Sequence, residues 1–428
     1  MPANFRPLRS AQSARVVILL VLSLLTAVAS GTPFSDATET NRSSTGTWVG
    51  YGDLNGKEVP FHLELRGVGD SVVGTLVNGR ERYVSSSGSL FEGHLVLHFD
   101  YYANTLDAKM TGGVLNGTFS GRSRSITLTA HLSGEAPKPA AGAPNIAGDW
   151  VIAVQGPKGE HKWSLHVRQN GARVVGVIQR IDGDTGSLYG HWDGNLFPVS
   201  HFTAAGPSYA ELKPEPDGTL QIVTFAHNDE LQTHTAHRTQ AQVQNRPESV
   251  DDPSQHTFLK TPTEPLPFHF PDLTGRLVSN TDAEFKGKVV IVSIGGSWCP
   301  NCQDEAPFLE DLYRRFHGQG LDVVEVSFEE GSQHSSPSRL KAVIHRYGLT
   351  FPVLLAGTPD QLNEKFPTVS NLNCWPTTFF IGRDGAVKAI HTGYSGPATG
   401  KKNSELQNDT VSLVSRLLSQ QLSLSSSR

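Results

Sequence analysis

The stretch GGSWCPNCQDEAP, residues 295–307, decides how the C-terminal part of this chain is read. It holds two of the three cysteines, Cys299 and Cys302, with two residues between them, after Trp298 and before Pro307. To its left, VVIVSI (289–294) is a short β-branched apolar run, suited to a strand covered on both faces. To its right, Pro300 fits a first helical turn. Phe308, Leu309, Leu312, Tyr313 and Phe316 then form a helical stripe that Gly318 and Gly320 stop. The pair therefore stands where a strand gives way to a helix. A cysteine just before a first helical turn meets unpaired N–H groups and the positive end of the helix dipole, and both favour thiolate. Cys299 is the expected nucleophile, and Cys302 can attack the mixed disulfide that forms on it. A zinc site needs four ligands and no second cysteine pair exists. A purely structural disulfide closing so short a loop adds little stability. The redox reading explains more than either.

Further along, 323–328 reads as the next strand. Ser336-Pro337 is expected to cap a helix with Leu340, Val343, Ile344 and Tyr347 inward, ended by Gly348. Strands follow at 351–355, 377–381 and 387–391, the last two flanking the hairpin signal Arg383-Asp384-Gly385. Leu406, Thr410, Leu413, Val414 and Leu417 mark a terminal helix. The order β-α-β-α-β-β-β-α predicts an α/β domain over 265–428, a mixed sheet with helices on both faces.

The region before it has a different grammar. Short alternating stretches such as FHLEL (61–65) and LVLHF (95–99) are separated by Asn55-Gly56, Asn78-Gly79 and Asn116-Gly117, read as turns. Gly46-Thr47-Trp48 is echoed by Gly148-Asp149-Trp150, and Val72-Val73-Gly74 by Val174-Val175-Gly176; both pairs are 102 residues apart. Equal offsets at separate places argue for a duplicated antiparallel β unit, sandwich or barrel-like, over 46–133 and 146–240. The Pro/Ala stretch 134–145 joins the copies, and 241–264 is a second linker. Trp48 and Trp150 are expected to anchor the two cores. His227, His234 and His237 have loose metal-ligand spacing, which strand alternation explains more cheaply.

A chain of 428 residues suggests several domains. Its net charge of −5 gives no basic footprint for nucleic acid. Arg6, Arg9 and Arg15 precede an apolar run at 16–29 that ends in small residues, the pattern of a signal peptide cleaved after Ala29. An uncleaved membrane anchor is the alternative, and 30–45 is expected to be a flexible lead. An exported protein in the periplasm or cell envelope follows, in a compartment where disulfides persist.

Trp298, the C-x-x-C pair, Pro307 and WPTTFFI (375–381) resemble the thioredoxin superfamily. FPDLTG (270–275), GKVVIV (287–292), WCPNCQDEAPFL and WPTTFFIGRDG are most similar to the TlpA/ResA-like thiol-disulfide oxidoreductases of bacterial envelopes. The resemblance covers about 265–422 and not the β units. It implies that Pro376 is a cis-proline facing the dithiol, and that a substrate peptide pairs with the backbone beside it, at Trp375. It implies that Pro307 kinks the active-site helix. It also makes Glu305 a proton carrier for the cysteines; an acid favoured by the helix dipole is the plain alternative. Trp298 either covers the dithiol or packs. Ser293 stands where thioredoxins place a buried Asp, which shifts weight to Glu305. Cys374, two residues before Pro376, is either a second partner for Cys299 or a small buried hydrophobe.

The function expected is an exported reductase of protein disulfides, with no organic cofactor or metal and with Cys299–Cys302 as its redox centre. Another dithiol protein or a membrane electron donor would reduce it again. A peroxiredoxin-like peroxidase is the alternative, against which Gly296 stands where that chemistry wants Thr. A third possibility is an envelope binding protein whose β units hold a ligand or partner.

Overall fold

The computed structural model describes residues 46–420, except 122–123, 136, 226–229, 240–251 and 263. The expected signal peptide and lead, residues 241–251 of the expected linker and His227 lie outside the described residues.

Residues 46–238 form two all-β bodies. Each is a nine-stranded antiparallel sheet in which the last strand returns to the first and a single short strand hangs from the third. Gly46–Leu54 pairs with Ser125–Leu132 in one, and Gly148–Ala153 with Leu231–Arg238 in the other. The register matches as well: Trp48 faces Leu63 and Leu65 faces Gly74, as Trp150 faces Leu165 and Val167 faces Gly176. Alternation sends one side chain in two to the interior, where Trp48 and Trp150 are 1% and 2% exposed. Closing the sheet removes the free edges an open one would carry.

Asn55-Gly56 makes a tight turn with both residues at positive φ. Asn116-Gly117 does not: it lies inside the strand Val114–Ser120, and Gly112-Gly113 make the turn. Gly117 is there for close approach. A Cβ on it would meet Asp107 O at 2.1 Å and Ala108 Cα at 2.4 Å.

The two barrels share an apolar seam. Phe202 of the second lies 5.3 Å from Phe61 and 5.2 Å from Phe119 of the first, ring centre to ring centre. Asn104 Nδ2 donates to Ala204 O at 2.8 Å, and Asn78 Nδ2 to Ser187 O at 3.1 Å.

The C-terminal sheet runs Val353–Gly357, Leu321–Phe328, Val289–Gly295, Thr377–Ile381, Val387–Thr392. The first three are parallel and the last two antiparallel to their neighbours. The central strand is buried along its whole length, as its unbroken apolar run requires. Val289 and Ile291 join Leu309, Leu312, Leu340, Val414 and Leu417 on one face. Those residues belong to the helices Pro300–Phe316, Ser338–Tyr347 and Lys401–Ser419, so all three long helices pack there. The other face takes Val290, Val292 and Ile294, covered by Phe268, Phe270 and Val278 and by Leu362 and Phe366. Only short elements serve there: the hairpin His269–Pro271 with Leu277–Ser279, and the four-residue helix Leu362–Lys365. Part of the stretch read as linker also belongs to this body. Phe258–Leu259 pairs with Val369–Ser370, and His256 Nε2 meets Asn373 Oδ1 at 2.8 Å.

Gly117→Ala should destabilise the first barrel by about 1–3 kcal/mol, since overpacking forces backbone to shift. Urea unfolding would measure it, and an unchanged midpoint would show that these strands can part freely.

Candidate active site

Cys299 is the N-cap of the helix Pro300–Phe316, and it is disulfide-bonded to Cys302 with Cα atoms 5.3 Å apart. Cys302 N–H points at Cys299 Sγ from 3.2 Å, so the helix terminus does present a donor to that sulfur. The helix runs on through Pro307. The turn before it is held from below by charge. Glu329 is wholly buried and receives Ser297 N at 2.8 Å, Ser297 Oγ at 2.7 Å and Arg339 Nη2 at 3.0 Å. Arg339, 2% exposed, also donates to Ser297 Oγ at 2.7 Å. Removing either partner of so buried a pair would cost about 3–5 kcal/mol. Neither residue stood out in the sequence.

Trp298 and Trp375 meet edge to face, their centroids 5.4 Å apart, and Trp298 Nε1 donates to Phe328 O at 2.9 Å. The Trp375–Pro376 bond is cis. Pro376 O accepts Gly393 N at 2.7 Å, which ties the proline loop to the loop after Val387–Thr392. Cys374 is fully buried; burial pushes its thiol up to about 12, and its sulfur lies 3.6 Å from His256 Nε2. That is a packed, protonated thiol.

Glu305 lies against the middle of the sheet beneath this site. Its carboxyl accepts Ser293 Oγ and Thr378 Oγ1, each at 2.8 Å, from two adjacent strands. The hydroxyl that replaces the thioredoxin Asp thus serves Glu305 directly. Burial pushes Glu305 up to about 7 against the pull of those two hydrogen bonds. It is not the dipole-favoured surface acid of the plain reading. A second carboxyl joins it. Glu325, in the middle of Leu321–Phe328, is raised to about 8 by burial and by Glu329 and Glu305. A Cβ on Gly295 would stand 3.2 Å from Cys302 Sγ and 4.0 Å from Glu325 Oε1, so that glycine leaves room for both. An acid inside the run VVEVSF was the available signal for it.

The barrels close over this surface. The hairpin at 180–184 of the second barrel lies on the cysteine turn: Asn301 Nδ2 donates to Asp182 O at 3.1 Å, and Gly183 bridges to Tyr394. Gly396 N donates to Asp184 Oδ2 at 2.6 Å. From the first barrel, Tyr101 O accepts Gln303 Nε2 at 2.7 Å, and the Arg346 guanidinium stacks 3.9 Å over the Tyr101 ring. As a result Cys299 is only 4% exposed, and Cys302 is half-buried.

The AhpC/TSA family model matches residues 263–390. The thiol-disulfide oxidoreductase ResA of Geobacillus thermodenitrificans is 32% identical over 126 residues, 29% of this chain and 66% of that one. The thioredoxin-like protein YneN of Bacillus subtilis is 32% identical over 126 residues, 29% of this chain and 68% of that one. This chain carries a TlpA/ResA-like thioredoxin domain. A crystal structure of a thioredoxin-family thiol:disulfide interchange protein from Chlorobium tepidum is 23% identical, covers 37% of this chain and 97% of that one, and has a TM-score of 0.30. The chain spans 66% and 58% of the first two ResA relatives. Among the described residues of the domain and its barrels, no cluster of His, Cys, Asp and Glu has metal-binding geometry, and His234 instead meets the Trp163 ring edge-on at 5.2 Å.

Two outcomes follow from the raised carboxyls. The folded thioredoxin domain holds these protons more tightly than the unfolded chain, whose ordinary glutamate value is 4.5. The stability they lend is therefore complete below 4.5 and lost as pH rises through about 7 and 8. The double variant Glu305→Gln, Glu325→Gln should flatten that loss in urea titrations at stepped pH, and an unaltered slope would refute the assignment. In turnover, Glu305→Gln should slow disulfide exchange by roughly a hundredfold or more and remove an inflection near neutral pH. A stopped-flow pH profile identical to that of the parent would exclude proton transfer through Glu305.

Proposed function

We propose that this protein is an exported thiol-disulfide oxidoreductase that reduces disulfides in the cell envelope. What supports this is the place of Cys299, capping a helix with an N–H aimed at its sulfur and bonded to a partner cysteine one turn on. In the reduced state the Cys299 thiolate attacks one sulfur of a substrate disulfide. A mixed disulfide forms, and the other substrate sulfur leaves as thiolate and takes a proton from the medium. Cys302 gives its proton to whichever of Glu305 and Glu325 is ionised and attacks Cys299 Sγ. The Cys299–Cys302 bond forms, and the second substrate thiolate departs protonated. Two electrons have passed from the dithiol to the substrate. A second dithiol protein or a membrane electron donor must then return them.

Trp298, Trp375 and Pro376 would flank the substrate's backbone, and Cys374 would only pack. The β units, 46–133 and 146–240, read as a duplication through their shared offset and register, joined by 134–145. Their role would be to wall the dithiol, since both reach its turn. The resemblance to ResA and the apolar N-terminal run support export; whether the chain stays anchored there is part of the same proposal.

The test is a trap. Cys302→Ser, incubated with envelope extract, should hold a partner covalently on Cys299, released by dithiothreitol and identified by mass spectrometry. Cys299→Ser should hold none and should show no reductase activity. A reversed pattern would make Cys302, the less buried residue, the nucleophile, and trapping by neither would end the proposal.

A further inference from the structure

A cavity of about 260 Å³ adjoins the cysteine turn, and all three bodies build it. The first barrel supplies Tyr83 and Tyr102, the second Arg180 and His201, and the thioredoxin domain Pro300, Asn301 and Asp304. Pro300 and Asn301 are the two residues between the cysteines, so whatever enters this chamber lies against the cysteine turn, although neither cysteine lines it. Two polar atoms that line it, Arg180 Nε and His201 Nδ1, are buried and have no hydrogen-bond partner. Such atoms cost free energy unless something meets them.

Acids outnumber cations around the chamber, and the groups differ in how they are engaged. Asp182 is paired with Lys158. Asp184 accepts Gly186 N at 2.8 Å and Gly396 N at 2.6 Å. Glu160 accepts Trp163 Nε1 at 3.2 Å and Lys158 N at 3.0 Å. Asp304 opens onto the chamber from an exposed position, and crowding there, together with Asp184 and Glu81, raises its carboxyl. The Arg180 guanidinium is different. It lies 4.6 Å over the Trp163 ring, and Asp182 and Glu160 act on it electrostatically, but among the described residues no carboxylate comes within ion-pair distance of it. A held, planar guanidinium with free donors is shaped for a carboxylate.

Resting on the reductase reading, we propose that this chamber is a substrate subsite in which Arg180 receives a carboxylate carried close to the substrate's disulfide. His201, its neutral imidazole facing the same space, supplies a second hydrogen-bonding atom. The chamber's size suits a small organic disulfide or one extended peptide strand, and not the surface of a folded protein.

Three readouts on the full chain test this. The first compares 3,3′-dithiodipropionate, an anionic disulfide, with 2-hydroxyethyl disulfide, its neutral counterpart, using dithiothreitol as reductant. The parent should prefer the anion at least tenfold in kcat/KM. Arg180→Gln should bring that ratio towards one, and Arg180→Lys should keep part of it. No preference in the parent, or an equal fall on both substrates in Arg180→Gln, overturns the proposal. Failure of the parent to reduce either compound would instead count against the reductase reading. The second readout needs no turnover. Octanedioate should raise the thermal midpoint of the parent and not of Arg180→Gln; no shift in the parent overturns the subsite. The third compares disulfide-linked peptides with Glu or Gln beside the cysteine. A preference for Glu identifies a polypeptide source. A preference confined to dithiodipropionate identifies a small molecule. Absence of both overturns the subsite.

Discussion

The buried ion pair between Glu329 and Arg339 holds the rest of the site in place. It reaches Ser297 through both backbone and hydroxyl, two residues before the first cysteine. A strand that ends there could leave the sheet at many angles. The pair, closed off from water, permits one. From that angle the helix starts where Cys299 caps it, the two tryptophans meet, and Gln303 reaches across to the first barrel. Chemistry and cover both hang on the same bend.

The cover changes what the dithiol is. A thioredoxin domain by itself shows its cysteine turn to any partner of adequate shape. Here two barrels fold over that surface, and the contacts fall on the turn, on the loop at 393–396 and on the proline loop. Under it lie two buried carboxyls, Glu305 and Glu325, whose titration burial raises to about 7 and about 8. On the proposed reading the arrangement separates two tasks: the domain performs the exchange, and the barrels decide what comes near enough to take part.

Much of this was legible from residue order, for reasons that are themselves physical. The central strand announces itself because a run buried on both faces must be apolar throughout, and the cysteine pair because Pro300 opens a helix right after it. The 102-residue echo predicted two similar β bodies, and both barrels show that offset in their strand pairing. Other parts were hidden. Asn116-Gly117 has the composition of a turn, but its glycine answers to a neighbouring strand, which no local pattern reveals. The sheet's second face has no long helix because short elements remote in sequence fill it. Glu325, Glu329 and Arg339 have meaning only against one another across the fold. Arg180 reads as an ordinary strand cation until Trp163 and the cysteine turn are brought beside it.

Gly183 has one more consequence. A side chain there would strike Asn301 Nδ2 at 2.2 Å, so the hairpin of the second barrel and the inner residue of the redox pair are cut to each other's outline. Asn301 lies between the two cysteines in sequence. A bulkier residue at 301 would misfit the wall above it. Across descendants of this chain, the two positions should change together or not at all.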